Sequence, residues 1–177
     1  MKKIYLPLIL FVLVIAEGLS INLLPDEIAL SDYLIIAHWV LAFLVYIAVY
    51  YDTEDTYYAI AYAFIFGLLI DIIYTGVLGV YMFSYGIVMY IIHKLLKLLQ
   101  RNIYVLFLFG AVAIFLGDLF IYMMYAVVGI TGIIWQDYLL IRSVPTLLAN
   151  LVFFLLLFPL FRKRLVRWSN EQLDQSN

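Results

Sequence analysis

Six apolar runs, each about long enough to cross a bilayer, constrain this chain more than any other feature. They occupy residues 4–24, 33–50, 57–73, 77–92, 103–128 and 139–161. A transmembrane helix needs roughly 20 mainly apolar residues, and fewer where polar groups reach the interface. Of the 177 residues, 68% are hydrophobic and only 12% are charged, which no soluble core could accommodate. The sequence therefore predicts an all-α integral membrane protein with six transmembrane helices.

Basic residues indicate which span ends face the cytoplasm, because lysine and arginine are retained on that side. With the N-terminus inside, nine of the ten basic residues fall on inner segments, and Arg142 falls near the outer side. The segment PDEIALSD, residues 25–32, is purely acidic and fits an outer loop. The first run resembles a signal peptide without a clear cleavage site, so we interpret it as a retained span. We expect both ends to be cytoplasmic, with one membrane domain over residues 1–168 and a short polar tail over residues 169–177.

Composition and histidine placement argue against several classes of function. The chain has no cysteine, and hence no disulfide, thiolate nucleophile or iron–sulfur site. Its net charge of −2 argues against nucleic acid, whose binding surfaces are strongly basic. His38 and His93 fall at opposite membrane faces, so they cannot share a metal or catalytic site. We expect no enzyme activity, metal or cofactor, while a proton or ion carrier using Glu17, Asp71 and Asp118 remains an open alternative.

Five ionisable residues fall inside the predicted spans, all nearer the outer end: Glu17, His38, Asp71, Asp118 and Arg142. Each costs on the order of 2.5–3.5 kcal/mol there unless it is paired or hydrated. We expect Glu17, His38 and Asp118 to form an outer-half polar pocket. We expect Asp71 and Arg142 to form a separate structural pair at the outer ends of the third and sixth spans. For Glu17, His38 and Asp71 taken singly, snorkelling or a hydrogen bond to a neighbouring helix is the simpler explanation. For Asp118, the deepest of the five, buried pairing or a neutral protonated form is favoured.

Small residues recur at intervals of four before Asp71: Ala59, Ala63 and Gly67. Residues four apart lie on the same side of a helix, and small side chains there let another helix approach closely in lipid. The pattern predicts a helix-packing groove and turns Asp71 toward protein. The following YTGVLG, with Gly76 and Gly79, predicts the tight turn of a helical hairpin.

The start of the last span offers a partner for this groove. Arg142, Thr146 and Ala149 follow one another at intervals of four and three, with Asn150 on the flank. Pro145 lacks a backbone N–H and favours the first turn of a helix. We expect a break there that turns Arg142 inward.

Two patterns mark the membrane surfaces. Many of the 16 tyrosines fall at predicted span ends, where the ring suits the headgroup layer, including Tyr5, Tyr51 and Tyr138. The segment FRKRLVRW near the C-terminus carries four cations: Arg162, Lys163, Arg164 and Arg167. These charges suit contacts with anionic lipid headgroups. They also act as a stop-transfer and topology signal, which is the simpler explanation.

Two motifs carry a resemblance to a known family. GLLIDIIYTGVLG, with Gly67, Asp71 and Gly79, resembles the G-x-x-x-D…G-x-x-G segment of the rod shape-determining membrane protein MreD family. RSVPTLLANLVFFLLLFPLFR resembles the R-x-x-P-T-x-x-x-N last span of the same family, through Arg142, Pro145, Thr146 and Asn150. Chain length, span count and the basic C-terminal end agree with the resemblance.

The resemblance implies a non-enzymatic component of the bacterial elongation machinery in the cell membrane, which directs side-wall peptidoglycan synthesis and maintains rod shape. It implies direct binding to MreC, a single-span scaffold protein. Wider partners would be the filament MreB, the glycosyltransferase RodA and its penicillin-binding protein. It also implies a fold like that of the substrate-binding subunits of energy-coupling-factor vitamin transporters.

Such a transporter subunit is the alternative function, and a membrane enzyme comes third. A transporter subunit would need a small-residue face on the first span to dock on its energising partner. Only Ala16 and Ser20 supply one. Ligand binding by the purified protein would favour the transporter.

Overall fold

The computed structural model describes residues 4–20, 33–53, 55–99 and 102–174. Within these residues the chain forms six main helices: α1 (Tyr5–Gly18), α2 (Trp39–Tyr50), α3 (Tyr58–Ile70), α4 (Val80–Leu96), α5 (Ile103–Val128) and α6 (Val144–Asp174). A π-helical segment, Asp71–Thr75, continues α3, and another, Tyr138–Ser143, leads into α6 after the single turn Trp135–Asp137. The all-α fold expected from the sequence is therefore confirmed. The acidic segment 25–32 lies outside the described residues.

The six helices differ in length. In the part of the chain that the structure describes, three helical stretches are long and apolar enough to cross a membrane: Tyr58–Thr75, Ile103–Val128 and Trp135–Glu171. Helices α1, α2 and α4 are apolar but shorter. At about 1.5 Å per residue, the 12 residues of α2 rise only about 18 Å, against roughly 30 Å of hydrocarbon.

Helix α2 is the core of the bundle and contacts each of the other five helices. Every side chain from residue 40 to residue 49 is buried, as expected of a helix that is apolar on all sides. The sequence predicted one helix over residues 33–50. The structure corrects this, because residues 33–38 are not helical and α2 begins at Trp39.

The predicted hairpin corresponds to α3 and α4. Gly76 and Gly79 join the two helices with φ values of 66° and 100°, in the left-handed region that glycine adopts without strain. Gly67 faces the start of α4 so closely that a Cβ there would lie 2.8 Å from the Met82 Cα. Backbone thus packs directly on backbone, as small residues allow between helices.

The two ends of the described chain lie together. The ring of Tyr5, at the start of α1, stacks on Trp168 of α6 with centroids 5.7 Å apart. Ser169 Oγ donates a hydrogen bond to the carbonyl of Tyr51, just after α2, at 3.3 Å. Helix α6 continues past residue 168, so the predicted polar tail begins as helix.

Candidate functional site

A buried ion pair between Asp118 and Arg142 is the centre of the polar groups inside the bundle. Nε and Nη2 of Arg142 donate to the same oxygen, Oδ1 of Asp118, at 3.0 and 2.8 Å. Tyr138 donates its hydroxyl to the other oxygen, Oδ2, at 2.9 Å. Asp118 is 1% exposed and Arg142 is 8% exposed, so water screens their attraction little.

Arg142 therefore has a different partner from the one expected, and the predicted Asp71–Arg142 pair is wrong. The π-helical segment Tyr138–Ser143 places Tyr138 and Arg142 on the side that faces α5, where Asp118 lies. Asp71 is also fully buried, but its carboxylate accepts hydrogen bonds from backbone N–H groups and not from Arg142.

Asp71 accepts three backbone hydrogen bonds from the start of α4. Oδ2 accepts from the N–H groups of Gly79 and Met82 at 2.9 and 3.2 Å, and Oδ1 accepts from that of Tyr81 at 2.9 Å. The first N–H groups of a helix have no partner within it and carry the positive end of its dipole. Asp71 therefore caps the helix that follows it, and the turn through Gly76 brings the carboxylate there.

His38 extends the network from Asp118 toward α1. Its Nε2 lies 3.5 Å from Asp118 Oδ1, and its Nδ1 lies 2.9 Å from the hydroxyl of Tyr85 on α4. Tyr85 donates to Glu17 Oε1 at 3.4 Å. Glu17 is only partly buried, and its Oε2 accepts from the N–H of Val40 in the first turn of α2 at 3.1 Å.

The structure thus brings Glu17, His38 and Asp118, the three residues of the predicted pocket, into one hydrogen-bonded chain. We call this chain, together with Tyr85, Tyr138 and Arg142, the polar network. Sequence reasoning missed the two tyrosines, since it assigned Tyr138 to the headgroup layer although this residue is fully buried.

The non-helical segment 33–38 is held by the first turns of α6. Asn150 accepts from the N–H of His38 and donates to the carbonyl of Ile36, both at 2.7 Å. Thr146 Oγ1 accepts from the N–H of Ile36 at 3.1 Å and donates to the carbonyl of Leu34 at 3.2 Å. These bonds satisfy backbone groups that would otherwise be unpaired at membrane depth, which is very costly.

Pro145 has a role in the same contact. Because it has no N–H, it cannot donate to the carbonyl of Ile141 four residues earlier, and that carbonyl accepts from the N–H of Leu34 at 2.9 Å. The expected break at Pro145 is wrong, since the π-helical segment runs directly into α6. Arg142 nevertheless turns inward.

The remaining predicted residues lie in three other places. Ala59 and Ala63 are buried like Gly67, on the side of α3 that packs within the bundle. Gly76 and Gly79 form the hairpin turn. Arg162, Lys163, Arg164 and Arg167 are exposed on the last turns of α6.

Comparison with known proteins gives one family. The family model for the rod shape-determining protein MreD matches residues 1–167. The chain belongs to the MreD family. The rod shape-determining protein MreD of Bacillus subtilis (strain 168) is 26% identical over 175 residues, which cover 99% of this chain and 100% of that protein. No solved structure matches the chain.

In this member of the MreD family, each residue of the two motifs that carried the resemblance has a structural contact. Asp71 caps α4, and Arg142 neutralises Asp118. Thr146 and Asn150 bind the backbone of segment 33–38. Among the described residues, no three His, Asp or Glu side chains are placed so that they could hold one metal ion.

Proposed function

We propose that this protein is a non-enzymatic membrane component of the bacterial cell-elongation complex, supporting side-wall peptidoglycan synthesis and rod shape. The observation that carries the proposal is the match of the MreD family model to residues 1–167. The cell membrane is the expected location, with several spans crossing it.

The contacts of the ionisable residues support a structural role. Asp71 and Glu17 accept hydrogen bonds from helix starts, and Asp118 is paired with Arg142 and contacts His38. Charged groups used in this way fix the relative positions of helices, as an assembly platform requires.

The proposed direct partner is an MreC-like single-span scaffold protein. The wider complex would contain MreB, RodA and a penicillin-binding protein. The test is to deplete the native MreD of a rod-shaped host and express this chain with an affinity tag. We expect restored rods and co-purification of the scaffold protein.

Matched variants sharpen this test. Arg142→Gln leaves Asp118 unpaired and should impair rescue, whereas Asn170→Ala on the exposed end of α6 should rescue fully. Cells that keep their rod shape and side-wall synthesis without any MreD would contradict the proposed function. Complete rescue without association with the scaffold protein would contradict the proposed partner.

We also propose that both ends face the cytoplasm. The stacking of Tyr5 on Trp168 supports placing both ends on one side, and the basic residues favour the inner side. The chain has no cysteine, so in a single-cysteine variant the introduced thiol is the one group of this protein that a maleimide labels. A membrane-impermeant maleimide should label Gln136→Cys in intact cells and Asn170→Cys only after permeabilisation. The opposite pattern would refute this orientation.

The likeness of the fold to substrate-binding subunits of energy-coupling-factor transporters stays a prediction, which an experimental structure would test. The transporter function predicts tight vitamin binding by the purified protein and association with an ATP-driven module. Neither is expected of the elongation component.

A further inference from the structure

The last turns of α6 have one side fixed to the bundle. Leu165 is fully buried. Trp168 stacks on Tyr5 with an interplanar angle of 18°, and Ser169 donates a hydrogen bond to the carbonyl of Tyr51. The helix is therefore held in place after it leaves the apolar run, and its outward side chains have a defined orientation.

The opposite side of these turns is basic. Arg162, Lys163 and Arg167, with Asn170 and Glu171, line a shallow concavity, and we call the three cations the basic face. Arg167 contacts Glu171 at 3.3 Å, but its side chain is 76% exposed, and exposed pairs of this kind are weak. Among the described residues the structure records no acidic partner for Arg162 or Lys163, so the face keeps a net positive charge.

The basic face directly follows the end of the apolar run, where lipid headgroups are expected. The guanidinium carbon of Arg162 lies 5.3 Å from the ring centroid of Phe158, within the last turns of the apolar run. Tyr5 and Trp168 stack beside the same turns, and such rings prefer the boundary between hydrocarbon and water. Side chains in this position are closer to lipid phosphate groups than to soluble proteins.

We infer that the basic face binds the phosphodiester headgroups of anionic phospholipids in the adjoining leaflet. Guanidinium groups present paired donors that match phosphate oxygens. The docked helix also presents these donors without first having to fold, which reduces the entropic cost of binding. This inference does not depend on the role in cell shape.

The size of the effect follows from the number of cations. Each basic side chain near an anionic membrane surface contributes about fivefold to binding. Removing all three cations of the basic face should therefore weaken lipid binding about a hundredfold.

The test uses the full-length protein in neutral detergent and follows its thermal unfolding while phosphatidylglycerol is added. Wild-type protein should be stabilised in a saturable way, and phosphatidylcholine or inorganic phosphate should not reproduce the effect. The variant R162Q/K163Q/R167Q should shift the midpoint of the phosphatidylglycerol titration about a hundredfold upward. Glutamine keeps helix propensity and length.

The variant K94Q/K97Q is the matched control, since it removes exposed cations from the end of another helix. Because Lys94 and Lys97 do not line the concavity, its titration midpoint should shift clearly less than that of R162Q/K163Q, which removes the same number of cations. If the triple variant fails to fold, judged by its circular dichroism without lipid, R162Q/K163Q takes its place with a shift of about 25-fold.

Three results would overturn the inference. One is an unchanged midpoint in the folded variant. Another is equal stabilisation by inorganic phosphate, which would indicate a simple anion site. The third is displacement of the lipid by an acidic peptide at a lower concentration than that of phosphatidylglycerol, which would indicate a protein partner.

Discussion

Breaking the buried Asp118–Arg142 pair on one side should destabilise the protein strongly. Arg142→Gln removes two charge-assisted hydrogen bonds to Oδ1 of Asp118 and leaves a carboxylate that is 1% exposed. The remaining partners are the hydroxyl of Tyr138 at 2.9 Å and a ring nitrogen of His38 at 3.5 Å. The second contact is too long to replace the arginine.

The magnitude can be worked out in two ways. Hydrogen bonds to charged groups contribute about 1.5–3 kcal/mol each, so the loss of two gives about 3–6 kcal/mol. Removing one partner of a buried ion pair costs about 3–5 kcal/mol, because the other charge remains unpaired. We therefore expect Arg142→Gln and Asp118→Asn each to lower the free energy of unfolding by about 3–5 kcal/mol.

A double-mutant cycle separates the pair from its surroundings. The double variant D118N/R142Q leaves no unpaired charge, so it should be at least about 2 kcal/mol more stable than the sum of the single effects predicts. Unfolding in mixed micelles of sodium dodecyl sulfate, followed by tryptophan fluorescence, gives the free energies. The parallel cycle of Asp71→Asn with Arg142→Gln should show a clearly smaller coupling.

Additive effects of Asp118→Asn and Arg142→Gln would refute this reasoning. A larger coupling between Asp71 and Arg142 would do so as well, and would restore the pair expected from the sequence. Arg142→Lys should fall between wild type and Arg142→Gln, because an ammonium group cannot reproduce the guanidinium fork.

Three further changes test the packing of the bundle. Gly67→Ala should lower the free energy of unfolding by about 1–3 kcal/mol, because the added Cβ would lie 2.8 Å from the backbone of α4. Gly132→Ala is the control, since Gly132 has open space around it, and it should change the free energy of unfolding little in the same assay. Asn150→Leu, which is similar in size, should lower the free energy of unfolding by about 1–3 kcal/mol, since it leaves the N–H of His38 and the carbonyl of Ile36 without their partner. Equal stability of the variant would show that these bonds are dispensable. Pro145→Ala supplies an N–H that competes with the N–H of Leu34 for the carbonyl of Ile141. Amide hydrogen exchange at Leu34 should therefore become faster, and an unchanged exchange rate would argue against that competition.

The helices and the hairpin turn could be predicted from the sequence, because their causes are local. Apolar runs identify helices in lipid, and Gly76 and Gly79 indicate a turn that needs positive φ. The hydrogen-bonded chain through Glu17, His38 and Asp118 agrees with the predicted topology, which put all three in the outer halves of their spans.

The pairing within that region could not be predicted, because it depends on how each helix is rotated. Tyr138 was indistinguishable from an interfacial tyrosine until the fold turned it inward, and Tyr85, in the middle of a predicted span, carried no sequence signal for its partners. The non-helical segment 33–38 was hidden for a related reason. It is apolar enough for a helix. The distant Asn150 and Thr146 give its backbone the hydrogen-bond partners that a non-helical segment needs in lipid.

The error over Asp71 has a general physical cause. A buried carboxylate needs compensating positive charge, and the sequence shows only the formal charges, not the partial charges at helix starts. Among the described residues, three carboxylates accept hydrogen bonds from helix starts: Glu17 on α2, Asp52 on α3 and Asp71 on α4. Asp52 precedes α3 by a short loop, and Asp71 precedes α4 by the π-helical segment Asp71–Thr75 and the glycine turn. An acidic residue just before a turn in a membrane bundle should therefore first be assigned to the start of the next helix, and to a distant arginine only after that.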